Sequence, residues 1–174
     1  MRPKVTLYIA TSLDGHIAGV DGGLDWLPQI SPEGEDYGYA DFYADVDALV
    51  MGRTTYTLAQ GFGDWPYAGK PVYVYTHREL DAVPAGVTAI ADEPAALLAR
   101  LQAEGARHVW LVGGANVVQD WMAAGLVDAL ILTVVPVLLG SGIALFSGID
   151  PQRLVLTDCK RYPDGLVQLR YTCG

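Results

Sequence analysis

The stretch HVWLVGGANVVQDWMAAG, residues 108–125, contains the pattern that decides the fold class. It opens with an unbroken apolar run from Val109 to Val112, as expected of a strand buried on both faces of a parallel sheet. Two glycines follow, and then a helix-like segment that begins near Asn116 and ends at Gly125, a residue suited to the position just after a helix. The stretch therefore predicts a strand, a tight turn and a helix, as in α/β proteins.

The same alternation of strand and helix continues along the chain. Apolar, β-rich runs predict strands at 5–11, 48–51, 71–76, 87–89, 108–112 and 129–135. Helices are predicted at 35–45, 54–60, 92–104 and 116–125, the third with Asp92 as N-cap and Pro94 in its first turn. Two last runs, 153–160 and 166–172, flank the turn sequence PDG and predict a hairpin. We therefore expect a single α/β domain over residues 1–174, a three-layer sandwich with a mixed, mainly parallel sheet, helices on both faces and an antiparallel C-terminal hairpin.

Composition excludes several classes of function. The chain has 174 residues, a formal net charge of −9, 51% hydrophobic and 18% charged residues, and no basic run, so neither disorder nor a nucleic-acid partner is expected. The apolar run 127–139 is too short and interrupted to span a bilayer, and no secretory signal opens the chain, so we expect cytoplasmic residence and no membrane contact. Cys159 and Cys173 would not face each other across the predicted hairpin, so neither a disulfide nor a metal site is expected.

Three polar segments follow predicted strands and suit anions. The glycines of GGAN, residues 113–116, let backbone N–H groups approach a pyrophosphate at a helix N-terminus, although the segment is neither a GxGxxG fingerprint nor a P-loop. RTT, residues 53–55, offers a guanidinium and two hydroxyls. THR, residues 76–78, combines groups that suit the 2′-phosphate of NADP. Each segment alone fits an ordinary turn or cap equally well, but together in an acidic chain they favour a phosphorylated ligand.

A fourth segment follows the first strand. TSLDGHIA, residues 11–18, leads into GGLDWLP, residues 22–28, a glycine-rich loop that suits a lid excluding water or, alternatively, an unremarkable surface loop. Trp26, Tyr56 and Trp65 are candidates to stack on a heterocyclic substrate, with core or rim packing as the alternative.

Four motifs occur in a familiar order: SLDG at 12–15, MGRTTY at 51–56, LVGGAN at 111–116 and PVLLGSG at 136–142, the last closed by Leu145 and Phe146. Together they make the chain resemble the dihydrofolate reductase superfamily, and within it the riboflavin-biosynthesis reductase branch, the RibD C-terminal domain family. The resemblance covers nearly the whole chain. It is more specific for the fold and the cofactor than for the substrate.

The resemblance implies an oxidoreductase that transfers hydride from NADPH to a small heterocycle, similar to 5-amino-6-(5-phosphoribosylamino)uracil reductase. It also implies a homodimer supported by residues 139–142 and a cis peptide bond between Gly113 and Gly114. The residues that it assigns to the cofactor are Thr11, Ile17 and Ala18 at the nicotinamide; Gly52, Arg53, Thr54 and Thr55 at the phosphates; Thr76, His77 and Arg78 at the 2′-phosphate; and Gly113, Gly114, Ala115, Asn116 and Val117 at the pyrophosphate.

The chain also departs from this family. It has no H-x-E and no P-C-x-x-C sequence, so the zinc-dependent deamination of the bifunctional riboflavin enzyme is not expected. His16 stands where the family usually has lysine or arginine, which weakens the case for binding a ribityl phosphate.

The proton donor and the substrate stay open at this point. A partly desolvated carboxylic acid is needed, and Asp36 is the first candidate, with Asp14 as the alternative. Reduction of a folate or pterin is a second hypothesis, disfavoured because residues 35–45 offer no arginine for a glutamate tail. A nucleotide-binding dimer without turnover is a third.

Overall fold

The computed structural model describes residues 1–27 and 34–174. Its strands are β1 (Lys4–Ser12), β2 (His16–Ala18), β3 (Ala48–Gly52), β4 (Val72–Tyr75), β5 (Val87–Ile90), β6 (His108–Gly113), β7 (Ala129–Val135), β8 (Ile143–Ala144), β9 (Leu154–Arg161) and β10 (Val167–Cys173). Its helices are α1 (Tyr39–Asp45), α2 (Arg53–Gln60), α3 (Pro94–Ala103) and α4 (Ala115–Ala123). Strands and helices thus alternate as predicted, and the chain ends in the predicted hairpin.

Eight of these strands form one sheet in the order β5-β4-β3-β6-β1-β7-β10-β9. The strands from β5 to β7 are parallel, whereas β10 pairs antiparallel with both β7 and β9. β1 lies at the centre, where Thr6 has Trp110 of β6 on one side and Ala129 of β7 on the other. The predicted sheet, mixed and mainly parallel with an antiparallel C-terminal hairpin, is confirmed.

Helices cover both faces of this sheet. On one face, Val50 of β3 belongs to the same buried cluster as Leu97 of α3 and Trp121 of α4. The next residue along the strand on the N-terminal side, Leu49, points the other way and joins the cluster that contains Phe42 of α1 and Tyr56 of α2. Because successive strand residues alternate between faces, an uninterrupted apolar strand contributes side chains to the buried clusters on both faces of the sheet. The three-layer prediction is therefore confirmed.

α1 is shorter than predicted. It begins at Tyr39 rather than at residue 35, because Tyr37 and Gly38 have left-handed φ angles of 55° and 78° that an α-helix cannot include. The carboxylate of Asp36 accepts hydrogen bonds from the N–H groups of Gly38 and Ala40, at 2.9 and 2.8 Å. These bonds satisfy amides that the start of a helix leaves free.

Other boundaries differ by one residue or confirm the prediction. The predicted N-cap of α3, Asp92, is wrong by one position, because Glu93 occupies the N-cap and Pro94 begins the helix. Gly125 follows α4 with a φ of 65°, the left-handed conformation predicted there. The small second sheet of β2 and β8 was missed, because strands of two or three residues are too short to show alternation.

The C-terminal hairpin separates the two cysteines as expected. Cys159 lies opposite Leu169, and Cys173 lies opposite Leu154, so the thiols do not face each other and both are free. Within the described parts of the chain, the helices are all too short or too polar to cross a bilayer.

Candidate functional site

The carboxyl ends of β3, β4, β5 and β6 border a cleft of about 920 Å³, called the large cleft below. This is the edge at which open α/β sheets bind ligands. Most residues predicted to bind a cofactor line it, and they come from four separate parts of the sequence. They are Ile17, Ala18, Gly52, Arg53, Thr54, Thr55, Thr76, His77, Gly114, Ala115, Asn116 and Val117.

Three of the predicted cofactor residues do not line the large cleft. Thr11 is only 2% exposed. Arg78 lies in the exposed loop after β4, where its backbone N–H donates to Oγ1 of Thr76 at 3.1 Å. Gly113 adjoins the wall through its peptide bond to Gly114, which is cis as the family resemblance implied. The predicted contacts of Thr11 and Arg78 with a cofactor are therefore not supported by this geometry.

Two helices begin at the large cleft without a side-chain cap. The N-cap of α2 is Gly52 and the N-cap of α4 is Gly114, so no side chain accepts the amides of either first turn. A Cβ atom at Gly114 would lie 3.6 Å from Oγ1 of Thr55 and 3.8 Å from Cδ1 of Ile17, inside the space that these elements enclose. Free N–H groups around such a space are suited to phosphate oxygens.

Arg53 adds a cation to the same wall. Its Nη1 atom donates to the carbonyl oxygen of Glu79 at 2.8 Å and lies 3.3 Å from Oγ1 of Thr76, which joins α2 to the loop after β4. These bonds use Nη1, so within the described residues Nη2 and Nε remain able to donate to an anion. A fixed guanidinium with free donors is suited to a phosphate group.

The large cleft also has acidic lining residues, which the sequence analysis missed. Asp92, Glu93 and Asp120 line it together with Tyr75. Burial, and then the charges of these carboxylates, raise the pKa of Tyr75 to about 12. The sequence could have indicated this, because Asp92 and Glu93 follow shortly after the end of β5. β5 is the neighbour of β4, so its end lies at the same edge of the sheet. A phosphorylated ligand would therefore place its phosphates on the Arg53 side.

A second cavity of about 320 Å³ adjoins the large cleft and is called the aromatic pocket below. The two share Ile9, Ala10 and Leu27 as common walls. The full lining of the pocket is Tyr8, Ile9, Ala10, Leu27, Asp36, Tyr37, Tyr39, Trp110, Thr133, Val135 and Leu166. Of these residues, the sequence analysis had proposed Asp36 as a proton donor and Leu27 as part of the lid loop. The rest come from β1, α1, β6, β7 and the loops before α1 and before β10, and no local spacing connects them.

Asp36 lines the aromatic pocket, but its electrostatics do not suit a proton donor. The backbone N–H groups of Ala40 and Gly38 donate to its carboxylate and hold its pKa below the ordinary 3.8. The group is therefore ionised at neutral pH and can accept hydrogen bonds there. This geometry argues against the predicted role of Asp36 as a general acid.

Asp14, the alternative proton donor, lies outside the linings of both cavities. The Ser12 hydroxyl donates to its carboxylate at 2.6 Å, and the N–H groups of Leu139 and Gly140 donate at 3.1 and 2.7 Å. These bonds, the one from Ser12 first, lower the pKa of Asp14 far below its ordinary value. This geometry does not favour a catalytic Asp14, whose carboxylate instead fastens the turn between β1 and β2 to the segment before β8.

The three predicted substrate aromatics are not among the residues that line either cavity in the described structure. Tyr56 is only 2% exposed, and Trp65 packs edge-on against it with ring centroids 5.5 Å apart. Trp26 packs against a small apolar cluster beside the C-terminal hairpin. Tyr67 and Leu27, neighbours in sequence of Trp65 and Trp26, line the cavities instead.

The glycine-rich loop predicted as a lid contributes to the walls. Gly22, Leu24 and Leu27 line the large cleft, which agrees with a loop that covers it. The last residue of that predicted segment, Pro28, lies outside the described residues.

Comparison with known proteins gives the family. A sequence profile of the RibD C-terminal domain matches residues 3–168. This chain belongs to the RibD C-terminal domain family. It is 42% identical over 173 residues to the Bacillus subtilis protein YwjB, with 98% of each chain covered. It is 31% identical over 163 residues to the riboflavin biosynthesis protein RibD of Corynebacterium ammoniagenes, where 84% of this chain matches 47% of that protein.

Solved structures show the same fold. A Shewanella sp. PV-4 protein assigned to riboflavin biosynthesis matches with a TM-score of 0.89 and 32% identity, covering 100% of this chain and 99% of that one. The deaminase/5-amino-6-(5-phosphoribosylamino)uracil reductase of Thermotoga maritima matches with a TM-score of 0.77 over 99% of this chain and 57% of its own, at 17% identity. This RibD C-terminal domain therefore has the dihydrofolate reductase-like fold, and it spans about half the length of the two RibD proteins named here.

Proposed function

We propose that this protein is a reductase that binds NADPH in the large cleft and reduces a small heterocycle held in the aromatic pocket. The observation that carries the proposal is the shared wall of Ile9, Ala10 and Leu27, which joins a phosphate-suited cleft to a pocket of ring size. Membership of the RibD C-terminal domain family supports a reductase, and the uracil reductase activity for which the Thermotoga maritima relative is named supports a heterocyclic substrate.

The residues of the large cleft fit this cofactor. The first-turn amides of α2 and α4 would hold its pyrophosphate, because neither helix has a side-chain cap. Arg53, Thr76 and His77 would hold the 2′-phosphate, and Ile17 and Ala18 would provide an apolar surface for the nicotinamide. When bound, the coenzyme supplies the hydride.

The residues of the chain itself would position the two rings and exclude water from the space between them. Ile9, Ala10 and Leu27 would hold the two rings against each other and exclude water between them. Asp36 would accept hydrogen bonds from N–H groups of the substrate. Since neither Asp36 nor Asp14 is suited to donate a proton, we propose that solvent at the mouth of the pocket supplies it.

A fluorescence titration with NADPH and NADH, followed by a screen of nitrogen heterocycles monitored by NADPH consumption, tests this function. We expect NADPH to bind at least about tenfold more tightly than NADH, because a charge-assisted contact to the 2′-phosphate is lost in NADH. Equal weak binding of both nucleotides would remove the assignment of Arg53. Tight NADPH binding with no turnover in the screen would favour the nucleotide-binding dimer.

We further propose a homodimer, as the family resemblance implied. β9 is an edge strand of the sheet, and most of its residues are exposed, including Val155 at 59% and Leu156 at 52%. Such an edge is open to pairing with a second chain. Sedimentation equilibrium should give twice the monomer mass of 18.7 kDa, and a monomer at all concentrations would contradict the proposal.

A further inference from the structure

We propose that the aromatic pocket takes an amino-substituted nitrogen heterocycle that carries neither phosphate nor carboxylate, and that it discriminates against the anionic forms of such rings. This inference rests on the proposed function, since it names the substrate class of the same site. It separates this chain from a reductase of phosphoribosyl compounds.

The first observation is the charge of the chain around the pocket. Residues 17–52 contain eight aspartates and glutamates and no lysine, arginine or histidine. This stretch supplies Leu27, Asp36, Tyr37 and Tyr39 to the pocket wall. An anionic substituent that approaches along this stretch is therefore repelled rather than attracted.

The second observation is the wall itself. Four aromatic rings line it, those of Tyr8, Tyr37, Tyr39 and Trp110. Asp36 is the one charged side chain among the described lining residues. A phosphate or carboxylate moved into such a wall loses its hydration without a cation to replace it, which is costly. A ring N–H or an amino group, by contrast, can donate to the ionised Asp36.

The third observation concerns the two cations nearby in the C-terminal hairpin. Nη2 of Arg170 donates to Oε1 of Gln168 at 3.2 Å, and its Nε lies 3.9 Å from a carboxylate oxygen of Asp158. The ammonium of Lys160 lies 4.5 Å from the centroid of the Tyr162 ring. Neither cation lines the pocket. The charge of Lys160 acts on Asp36, whose pKa it helps to lower after the two backbone N–H groups, so it is already balanced by that carboxylate.

Volume limits the ligand further. The pocket of about 320 Å³ stands at the lower end of the usual range for ligand sites, about 300–1,000 Å³. A single or fused ring suits that volume, whereas a ring with a long charged substituent would have to extend past the acidic stretch. This also counts against a folate with its glutamate tail.

Binding to the NADP⁺-saturated protein tests the proposal without requiring turnover. Two matched pairs serve as probes in calorimetric titrations: an aminopyrimidine riboside and its 5′-phosphate, and 7,8-dihydropterin and 7,8-dihydrofolate. We expect the anionic member of each pair to bind at least about tenfold more weakly at low salt, with a smaller difference at high salt because exposed charges are screened. Equal or tighter binding of the anionic member overturns the proposal, as does binding of neither member of either pair.

A charge reversal beside the pocket provides the matched variant. Glu35 is exposed and precedes Asp36, and its side chain accepts a hydrogen bond from the N–H of Tyr37 at 2.8 Å. Glu35→Lys should reduce the discrimination between riboside and 5′-phosphate about threefold at low salt, and Glu35→Gln, which keeps an acceptor, should reduce it less. The control is Asp150→Lys, the same change of charge at an exposed residue next to Ile149, which packs on the α3–α4 face.

The outcomes separate this inference from the proposed function. Loss of discrimination in Glu35→Lys but not in Asp150→Lys supports a local effect, and equal responses of the two variants overturn it. If NADPH binds and the phosphorylated member binds as well as the riboside, only the present inference fails. If NADPH itself does not bind, the proposed function fails.

Discussion

The large cleft and the aromatic pocket share Ile9, Ala10 and Leu27, yet the described lining of the cleft has a guanidinium as well as carboxylates, whereas that of the pocket has one carboxylate and no cation. The cleft offers the free amides of two helix N-termini and the guanidinium of Arg53. The pocket offers aromatic rings and one ionised carboxylate, that of Asp36. Under the two proposals above, one edge of one sheet presents an anion site beside a site that rejects anions. Under the proposed function, this difference keeps the phosphates of the coenzyme from entering the substrate pocket.

The largest expected effect is on the binding of NADPH in the large cleft. Arg53→Ala should weaken NADPH binding about 10- to 100-fold, because charge-assisted hydrogen bonds to the 2′-phosphate are lost, while NADH binding changes less. Fluorescence titration of both nucleotides measures the effect.

The control for Arg53 is Arg161→Ala, which removes an exposed arginine at the end of β9. It should leave both affinities unchanged. If the two variants lose NADPH affinity equally, the effect belongs to net charge and the cleft has no dedicated phosphate contact.

A smaller effect is expected on the pocket side. Asp36→Asn should raise KM for the substrate roughly tenfold, because a charged acceptor becomes neutral. The pH profile of kcat between pH 6 and 8 should keep its shape, since the pKa of Asp36 lies below 3.8 and the carboxylate stays ionised throughout that window. Steady-state kinetics across this range measure both quantities.

Asp41→Asn, at an exposed position in the first turn of α1, is the control and should change neither KM nor the profile. Disappearance of a titration step in Asp36→Asn, together with a large fall in kcat, would restore Asp36 as the proton donor.

The smallest effect concerns the contact that holds the turn before β2, a strand that lines the large cleft. Asp14→Asn should lower the thermal midpoint at pH 7 by a few degrees at most, because exposed charges contribute little. The folded-state pKa of Asp14 lies far below 3.8, so its stabilisation is present above that pH and is lost as the pH falls through the folded-state value. The difference between the two proteins should therefore stay constant from pH 7 to 5 and shrink in strong acid.

Thermal melts of Asp150→Asn, an exposed aspartate elsewhere on the surface, provide the control for this series. A difference that grows rather than shrinks as the pH is lowered would contradict the assignment of Asp14 as a fastened carboxylate.

Much of the fold could be predicted because its signals are local. The apolar run of β6, the glycines that follow it and Gly125 after α4 lie within one continuous stretch, and the structure has each where it was expected. The large cleft was equally accessible, because the ends of parallel strands meet at one edge and its polar residues follow those ends. Asp92 and Glu93 also follow the end of a strand, but Asp92 was predicted as a helix N-cap and neither residue as part of the cleft.

The aromatic pocket could not be predicted in this way. Tyr8 and Trp110 read as ordinary residues of buried strands, and only the pairing of β1 with β6 brings them to one wall. The role of Asp36 could not be predicted for a related reason. Whether its carboxyl group donates a proton or accepts hydrogen bonds depends on the backbone amides near it, and the left-handed backbone at Tyr37 and Gly38 determines which amides those are. A sequence shows a carboxylate but not its hydrogen-bond partners.

The central place of β1 has a consequence for how such proteins diversify. Ile9 and Ala10 lie on β1 near the centre of the sheet, where they pair with Leu132 and Thr133 of β7. Two of the residues on which the two rings would meet are thus built into this central strand, whereas Leu27, Asp36, Tyr37 and Tyr39 of the pocket wall come from the stretch between β2 and β3. Under the proposed function, we expect substitutions in that stretch to change which molecule the pocket admits while the contact between the two rings is kept.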